Sequence, residues 1–307
     1  MFSYIVKRVL TAIPILLGIV LLIFLMLQVV PGNPVVVMMK EKANPAVIAN
    51  LTERMHLNDP WYIRFGRYVW DAMHGDFGIS YKMKNREVSK MIMDAFPNTV
   101  KLTIAALVVA WAIGIPAGII SAVKRGSILD NVVMTFSLCG ISMPTFWVAM
   151  LFQYVFAHKL GWLPVSGFSG FQYLILPAFV LGWSYSGSIA RMTRTNLLEA
   201  MHNDYIRTAR AKGLKESSVI SRHALKNSMM PVVTMMAMQV AGMLSGAVMT
   251  ETIFGIPGLG RITVDAIKNR DMPLLQGSTI FAAALIILGN LVADIAYSFL
   301  DPRIRVS

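Results

Sequence analysis

The side chains that most often do chemistry are few and far apart in this chain of 307 residues. His56, His74, His158, His202 and His223 include no pair at the spacing of metal ligands, so each reads as a surface or interface residue. Cys139 is the single cysteine, which rules out an intrachain disulfide and leaves the redox compartment open. No Ser/His/Asp grouping carries a local signature of a membrane hydrolase. The phosphate cradle G-x-x-x-x-G-K-[ST] is absent, and Gly-Lys occurs nowhere. Asp76-Phe77-Gly78 lacks any nucleotide-binding context and is not a kinase motif. The chain alone is therefore expected to be no enzyme and to hold no cofactor or metal. Any ATP and Mg would sit on a partner.

The polar segment with the clearest local design is 191–228. Asp204 is expected to cap a short helix over 205–212, its carboxylate accepting the free N–H groups of the first turn. Gly213 then supplies a left-handed position that ends the helix. Tyr205, Arg207, Thr208, Ala209, Arg210, Ala211 and Lys212 make about two turns flanked by positive charge. The small Ala209 and Ala211 would allow close approach of another protein. An isolated helix this short is marginal in water and needs packing, which a partner would supply. A solvated connector is the alternative.

Length and composition fix what must position these residues. The chain is 56% hydrophobic and only 14% charged, against about a quarter charged in soluble domains. A bilayer core of roughly 30 Å takes about 20 apolar helical residues. Six stretches qualify: 9–30, 102–123, 132–157, 173–190, 229–248 and 279–300. The fourth, short and rich in Gly, Ser and Pro, is the weakest. The first is too long for a signal-peptide apolar region and lacks an A-x-A cleavage site, so it reads as a retained anchor. Asp294, the one ionisable residue within a span, needs a partner in hydrocarbon. A contact to a neighbouring span is the preferred reading, and a proton relay the sharper one.

Net charge is +12, and its distribution explains it without nucleic acid. With the N-terminus inside, fourteen basic residues fall in cytoplasmic segments and four in short outer loops, as the positive-inside rule requires. Both termini are then cytoplasmic. Arg191 and Arg194 are expected to snorkel to the inner interface. The ten remaining basic residues lie in the long outer segment. Its aromatics Trp61, Tyr62, Phe65, Tyr68 and Trp70 suit one or two amphipathic helices at the outer interface. A small folded cap and a docking surface for a soluble partner both fit that segment. Gly114, Pro116 and Gly118 are expected to interrupt the second span, and Gly140 with Pro144 to kink the third. The methionines around the fifth span, among them Met229, Met235 and Met243, read as adaptable packing.

Asp204-Tyr205-Ile206-Arg207-Thr208-Ala209-Arg210-Ala211-Lys212-Gly213-Leu214, followed by His223-Ala224-Leu225-Lys226-Asn227 and Pro231, resembles the coupling loop of ABC importer permeases. The similarity is to the branch serving dipeptides, oligopeptides, glutathione and nickel chelates. The broad importer pattern opens Glu-Ala-Ala. Here Arg207-Thr208-Ala209 stands in those places, with Gly213 where the pattern has its glycine. Pro31-Gly32-Asn33-Pro34, Gly75-Asp76-Phe77-Gly78-Ile79-Ser80 and Glu251-Thr252-Ile253-Phe254 also resemble family segments. So do Pro257-Gly258-Leu259-Gly260-Arg261, Arg270-Asp271 with Pro273, and Asp301-Pro302-Arg303-Ile304-Arg305.

The resemblance implies an all-α membrane protein with a cytoplasmic coupling helix between spans 4 and 5. Its expected organisation is an N-terminal helix at 1–34, an extracytoplasmic region at 35–98 and a five-helix core at 99–307. It further implies a second homologous permease, two cytosolic ATPase subunits and an external binding protein that delivers peptide cargo. Tyr205 to Leu214 would couple to an ATPase. Glu251, Phe254, Pro257, Gly258, Gly260 and Arg261 would face the binding protein. The expected location is the plasma membrane of a prokaryote, the inner one in a Gram-negative cell, with membrane lipid as a further partner. A stand-alone secondary transporter or channel using Asp294 is the reading from another class.

Overall fold

The computed structural model describes residues 2–29, 45–54, 57–83 and 86–300. Among them the architecture is helical, with no strand and one isolated bridge between Ile79 and Glu87. In chain order the helices are α1 (Phe2–Val29), α2 (Pro45–Arg54), α3 (Trp61–Met73), α4 (Val88–Val123), α5 (Ile128–Ser142) and α6 (Thr145–Lys159). Then come α7 (Gln172–Met201), α8 (Asp204–Ala211), α9 (Glu216–Leu244), α10 (Val248–Phe254), α11 (Leu259–Asn269) and α12 (Met272–Leu300). Among the described residues four helices are long and apolar enough to cross a membrane, or up to six spans if the bent pairs α5–α6 and α9–α10 each count as one. The Pro31–Pro34 turn, His56 and the segment from Asp301 lie outside the described residues. So does the side chain of Asp294.

The core is built on α4 and α7, which run parallel at close range. A Cβ on Gly118 would lie 2.5 Å from Thr193 Cβ and 2.6 Å from the Ala190 carbonyl. Only a residue without a side chain lets the backbones approach this far, the device that replaces hydrophobic driving force between helices in lipid. Gly114 and Gly118 thus pack α4 against α7 rather than interrupting it, and α4 continues unbroken through Pro97 and Pro116. It also begins at Val88, well before the expected 102. The weakest predicted span, in α7, proves the most enclosed of the candidate spans. Its Gly, Ser and Ala residues are contact residues, and they lower its hydropathy for that reason.

The third stretch is bent much more sharply than a kink within one helix. Met143, held extended (ψ 135°) ahead of Pro144, ends α5, and α6 departs at 105°. The ring of a proline excludes the helical region for the residue before it. α5 runs antiparallel to α7, with Gly187 against the Ser137 carbonyl and Gly140 against Trp183. α9 is also antiparallel to α4 and α7. Its Met243 carbonyl accepts from Thr103 Oγ1 (3.1 Å), while Val219 and Ala224 pack with Ala122 and Leu197. α12 runs with α4, placing Phe281 on Phe96. These directions alternate as successive crossings must. α4, about 54 Å long at 1.5 Å per residue, joins a cluster at one end (Ile92, Leu259, Leu274) to another at the far end (Ala122, Leu197, Ile206).

Candidate functional site

The far cluster is built around α8. Its buried face is Ile206, with no exposed surface, and Ala209. They sit on Ala122 of α4, on Leu197 and Ala200 of α7, and on Val219 and Ala224 at the start of α9. Val219–Ala224 is a π-helical turn, a form often found at functional sites. Three long helices therefore end on one two-turn helix. The chain's own bundle supplies packing that a short helix needs, and Ala209 faces inward against it. Tyr205, Arg207, Thr208, Arg210, Ala211, Lys212, Gly213 and Leu214 are all exposed.

Local chemistry explains how α8 starts and stops. The N-cap is Asn203 in an extended conformation, and Asp204 lies inside the first turn. Asp204 still complements the helix dipole, and its carboxylate accepts from Arg207 Nη1 at 3.4 Å rather than from the backbone. At the other end Gly213 has φ +73°, and its N–H donates to the Arg210 carbonyl at 3.0 Å. Beyond that turn Arg210 returns to Glu216, with Nη2 to Oε1 at 2.6 Å and Nε to Oε2 at 3.1 Å. The guanidinium hydrogen bonds hold the Glu216 carboxyl below its ordinary range. The pair staples α8 to α9 across Gly213.

One turn before Leu197 on α7 lies an ion pair that sequence reasoning missed. Asp130, almost fully buried, accepts from Arg194 Nε at 3.0 Å and Nη2 at 2.8 Å. Ser121 Oγ and the Gly126 N–H (2.9 Å) complete its shell. Arg194 is thus paired within the protein while its side chain stays 27% exposed. It clamps α7 to the α4–α5 connection. Arg191, one turn earlier, is exposed. The available signal was an acid in a short connection beside a span end, with a basic residue at the matching depth of another span.

At the opposite end, the residues predicted to face a binding protein mostly build the loop from within. Glu251, Phe254, Gly258 and Gly260 are buried, Arg261 is half-buried, and only Pro257 is exposed. Glu251 accepts from Thr99 Oγ1 at 2.8 Å and from the Arg261 N–H at 3.1 Å, serving the free donors at the start of α11. Thr99 Oγ1 in turn accepts the Leu259 N–H at 2.8 Å. A Cβ at Gly258 would lie 2.5 Å from the Glu251 carboxylate, which explains glycine there. The Glu-Thr-Ile-Phe and Pro-Gly-Leu-Gly-Arg segments are thereby two halves of one latch onto α4. A second latch centres on buried Asp271. It accepts from Ser80 Oγ and from the N–H of Tyr81 (3.1 Å), tying the 75–80 segment to the start of α12. Among the described residues no group of His, Cys, Asp and Glu could hold a metal ion.

The sequence matches two family models in tandem. Residues 114–306 match the binding-protein-dependent transport system inner membrane component, and residues 1–103 match its N-terminal membrane component. The chain belongs to this family. Curated proteins to which the chain is similar include the dipeptide transport system permease protein DppB of Alkalihalophilus pseudofirmus, 39% identical over 99% of this chain and 100% of its own. The oligopeptide transport system permease protein AppB of Bacillus subtilis is 39% identical over the same shares. Escherichia coli DppB is 40% identical over 99% of both. Among solved structures, an inward-facing MetNI methionine ABC transporter covers 69% of this chain and 96% of its own, at 18% identity and a TM-score of 0.59. That likeness concerns the fold. The chain is thus a multi-pass membrane permease whose α7–α9 connection carries the motif that first pointed to the family.

Proposed function

We propose that this permease forms the pathway of an ATP-binding-cassette importer for dipeptides and oligopeptides delivered by an extracytoplasmic binding protein. Two cytosolic ATPase subunits drive it, and a second, homologous permease completes the pathway in a prokaryotic plasma membrane. Cargo class rests on the full-length relatives. Mechanism rests on one observation: an exposed eight-residue helix whose buried face is shared by the ends of three long helices. Force applied to Tyr205, Arg207 or Lys212 passes through Ile206 and Ala209 into α4, α7 and α9 together. A close-packed junction transmits displacement because it has no voids to absorb it. ATP is hydrolysed on the partner, and this chain contributes the lever. The exposed Pro257 and half-buried Arg261, displayed by the Glu251 latch, offer the binding protein its contact on the other side.

The experiment is uptake of a labelled dipeptide into proteoliposomes holding the assembled complex. Gly213→Trp places a side chain at φ +73°, a torsion an L-residue resists. It should abolish ATP-driven uptake while the protein inserts in normal amount. Normal uptake would remove the coupling role, and uptake by this chain without ATPase subunits would remove the importer class.

A further inference from the structure

Helix α3 carries two apolar faces. One, formed by Phe65 and Tyr68, is seated on α1, where both rings meet Phe24 (centroids 5.4 and 6.3 Å). The other holds Tyr62, Gly66, Trp70 and Met73, which share a side at helical spacing, with Ile63 beside them. It is open: Tyr62 is 59% exposed, Trp70 62% and Met73 68%. Arg64, Arg67 and Asp71 form a polar strip between the two faces, Arg67 pairing with Asp59 at 3.1 Å.

The position of α3 on α1 tells what covers the open face. At the level of Phe24, α1 turns Leu22, Leu25 and Met26 outward, the last 63% exposed. Such residues on a spanning helix suit a hydrocarbon surrounding. Two residues beyond Met26, about 3 Å along the helix, Gln28 accepts a hydrogen bond from Arg64 Nη1 at 3.0 Å. The apolar surface of α1 thus gives way to polar partners within the width of α3. A helix held there, with Trp and Tyr outward and a charged strip alongside, has the composition of one lying in a membrane interface.

We infer that the Tyr62–Trp70–Met73 face of α3 rests on lipid, at the headgroup–acyl boundary of the leaflet opposite the coupling helix. It anchors the end of α1 and holds the 75–80 segment, which follows directly, at the membrane surface.

The test uses single-cysteine variants Tyr62→Cys, Met73→Cys and Asp71→Cys in a Cys139→Ser background. Each carries a polarity-sensitive fluorophore, within the permease reconstituted into nanodiscs with the subunits that co-purify with it. Labels at 62 and 73 should be quenched by nitroxide-bearing phosphatidylcholine at least about threefold more than the label at 71, as an interfacial helix requires. Aqueous iodide should give the reverse order. Equal quenching at all three positions would overturn the inference. So would protection of 62 and 73 from both quenchers, which marks a protein neighbour. So would iodide access that disappears only when a soluble binding protein is added, which marks a docking surface. Two labels on the same face guard against one substitution disturbing the fold.

Discussion

Removing Arg194 should destabilise the permease more than removing the charge of its partner Asp130. In Arg194→Met the Asp130 carboxylate, with a side chain only 4% exposed, remains buried with Ser121 and the Gly126 N–H as its donors. Breaking a buried pair from one side costs about 3–5 kcal/mol, and the two surviving hydrogen bonds put this case near 3 kcal/mol. Asp130→Asn keeps an amide oxygen for the Gly126 N–H, and its NH2 can donate to the Ser121 hydroxyl, which accepts as well as donates. It frees a guanidinium that is already 27% exposed and can reach water along its aliphatic stem. That loss should be about 1–2 kcal/mol. Combining both substitutions should cost less than their sum by about 1 kcal/mol or more, since the stranded carboxylate is then gone. Reversible unfolding in mixed detergent–SDS micelles measures all three. An Arg194→Met variant as stable as Asp130→Asn, or strict additivity, would show that the pair is not the buried clamp described here.

Other consequences follow from the same geometry. Gly118→Leu should weaken α4–α7 packing by about 1–3 kcal/mol or prevent assembly, read by the same unfolding titration. Gly126→Ala, on an open turn, serves as its control only for side-chain bulk, because φ +78° adds backbone strain. Thr99→Val removes one donor from the buried Glu251 carboxyl and leaves the Leu259 N–H without its partner, a loss of about 1–3 kcal/mol, and should raise hydrogen exchange at the start of α11. Because Arg210 depresses the Glu216 pKa, the staple contributes above the unfolded glutamate value near 4.3 and is lost as pH falls through the lower folded value. Both side chains are about half exposed, so the contribution is only about 0–1 kcal/mol. Glu216→Gln should therefore abolish the acid-dependent rise in α8 hydrogen exchange.

Much of this architecture was legible locally. Apolar length marked the crossings, and the Gly213 left-handed turn followed from one residue type in one place. The α8 helix was legible too, although its cap moved by one residue because Asn203 is as able to start a helix as Asp204. What escaped were relations between distant residues. Asp130 and Arg194 are separated by 64 positions and Thr99 and Glu251 by 152, so no window of sequence contains either pair. The small size of Ala209 fits an intermolecular groove and an intramolecular one equally well; only the positions of Ala122 and Leu197 show its packing. The glycines of α4 suit a break or a contact for a similar reason. Close packing and flexibility ask for the same residue, and the neighbouring helix alone distinguishes them. Glu251, Gly258 and Gly260 looked like a displayed loop, yet their motif is a buried carboxylate capping α11.

The most direct measurement is photo-cross-linking from the exposed face of α8 in the assembled transporter, with the probe placed at Arg207 or Lys212 and, as a control, at Ile206. The account predicts adducts with a cytosolic ATPase subunit from 207 and 212, changing in yield with nucleotide, and adducts only within this chain from 206. Labelling of 207 or 212 by an impermeant reagent from the extracytoplasmic side, or adducts with no ATPase at any nucleotide state, would contradict it.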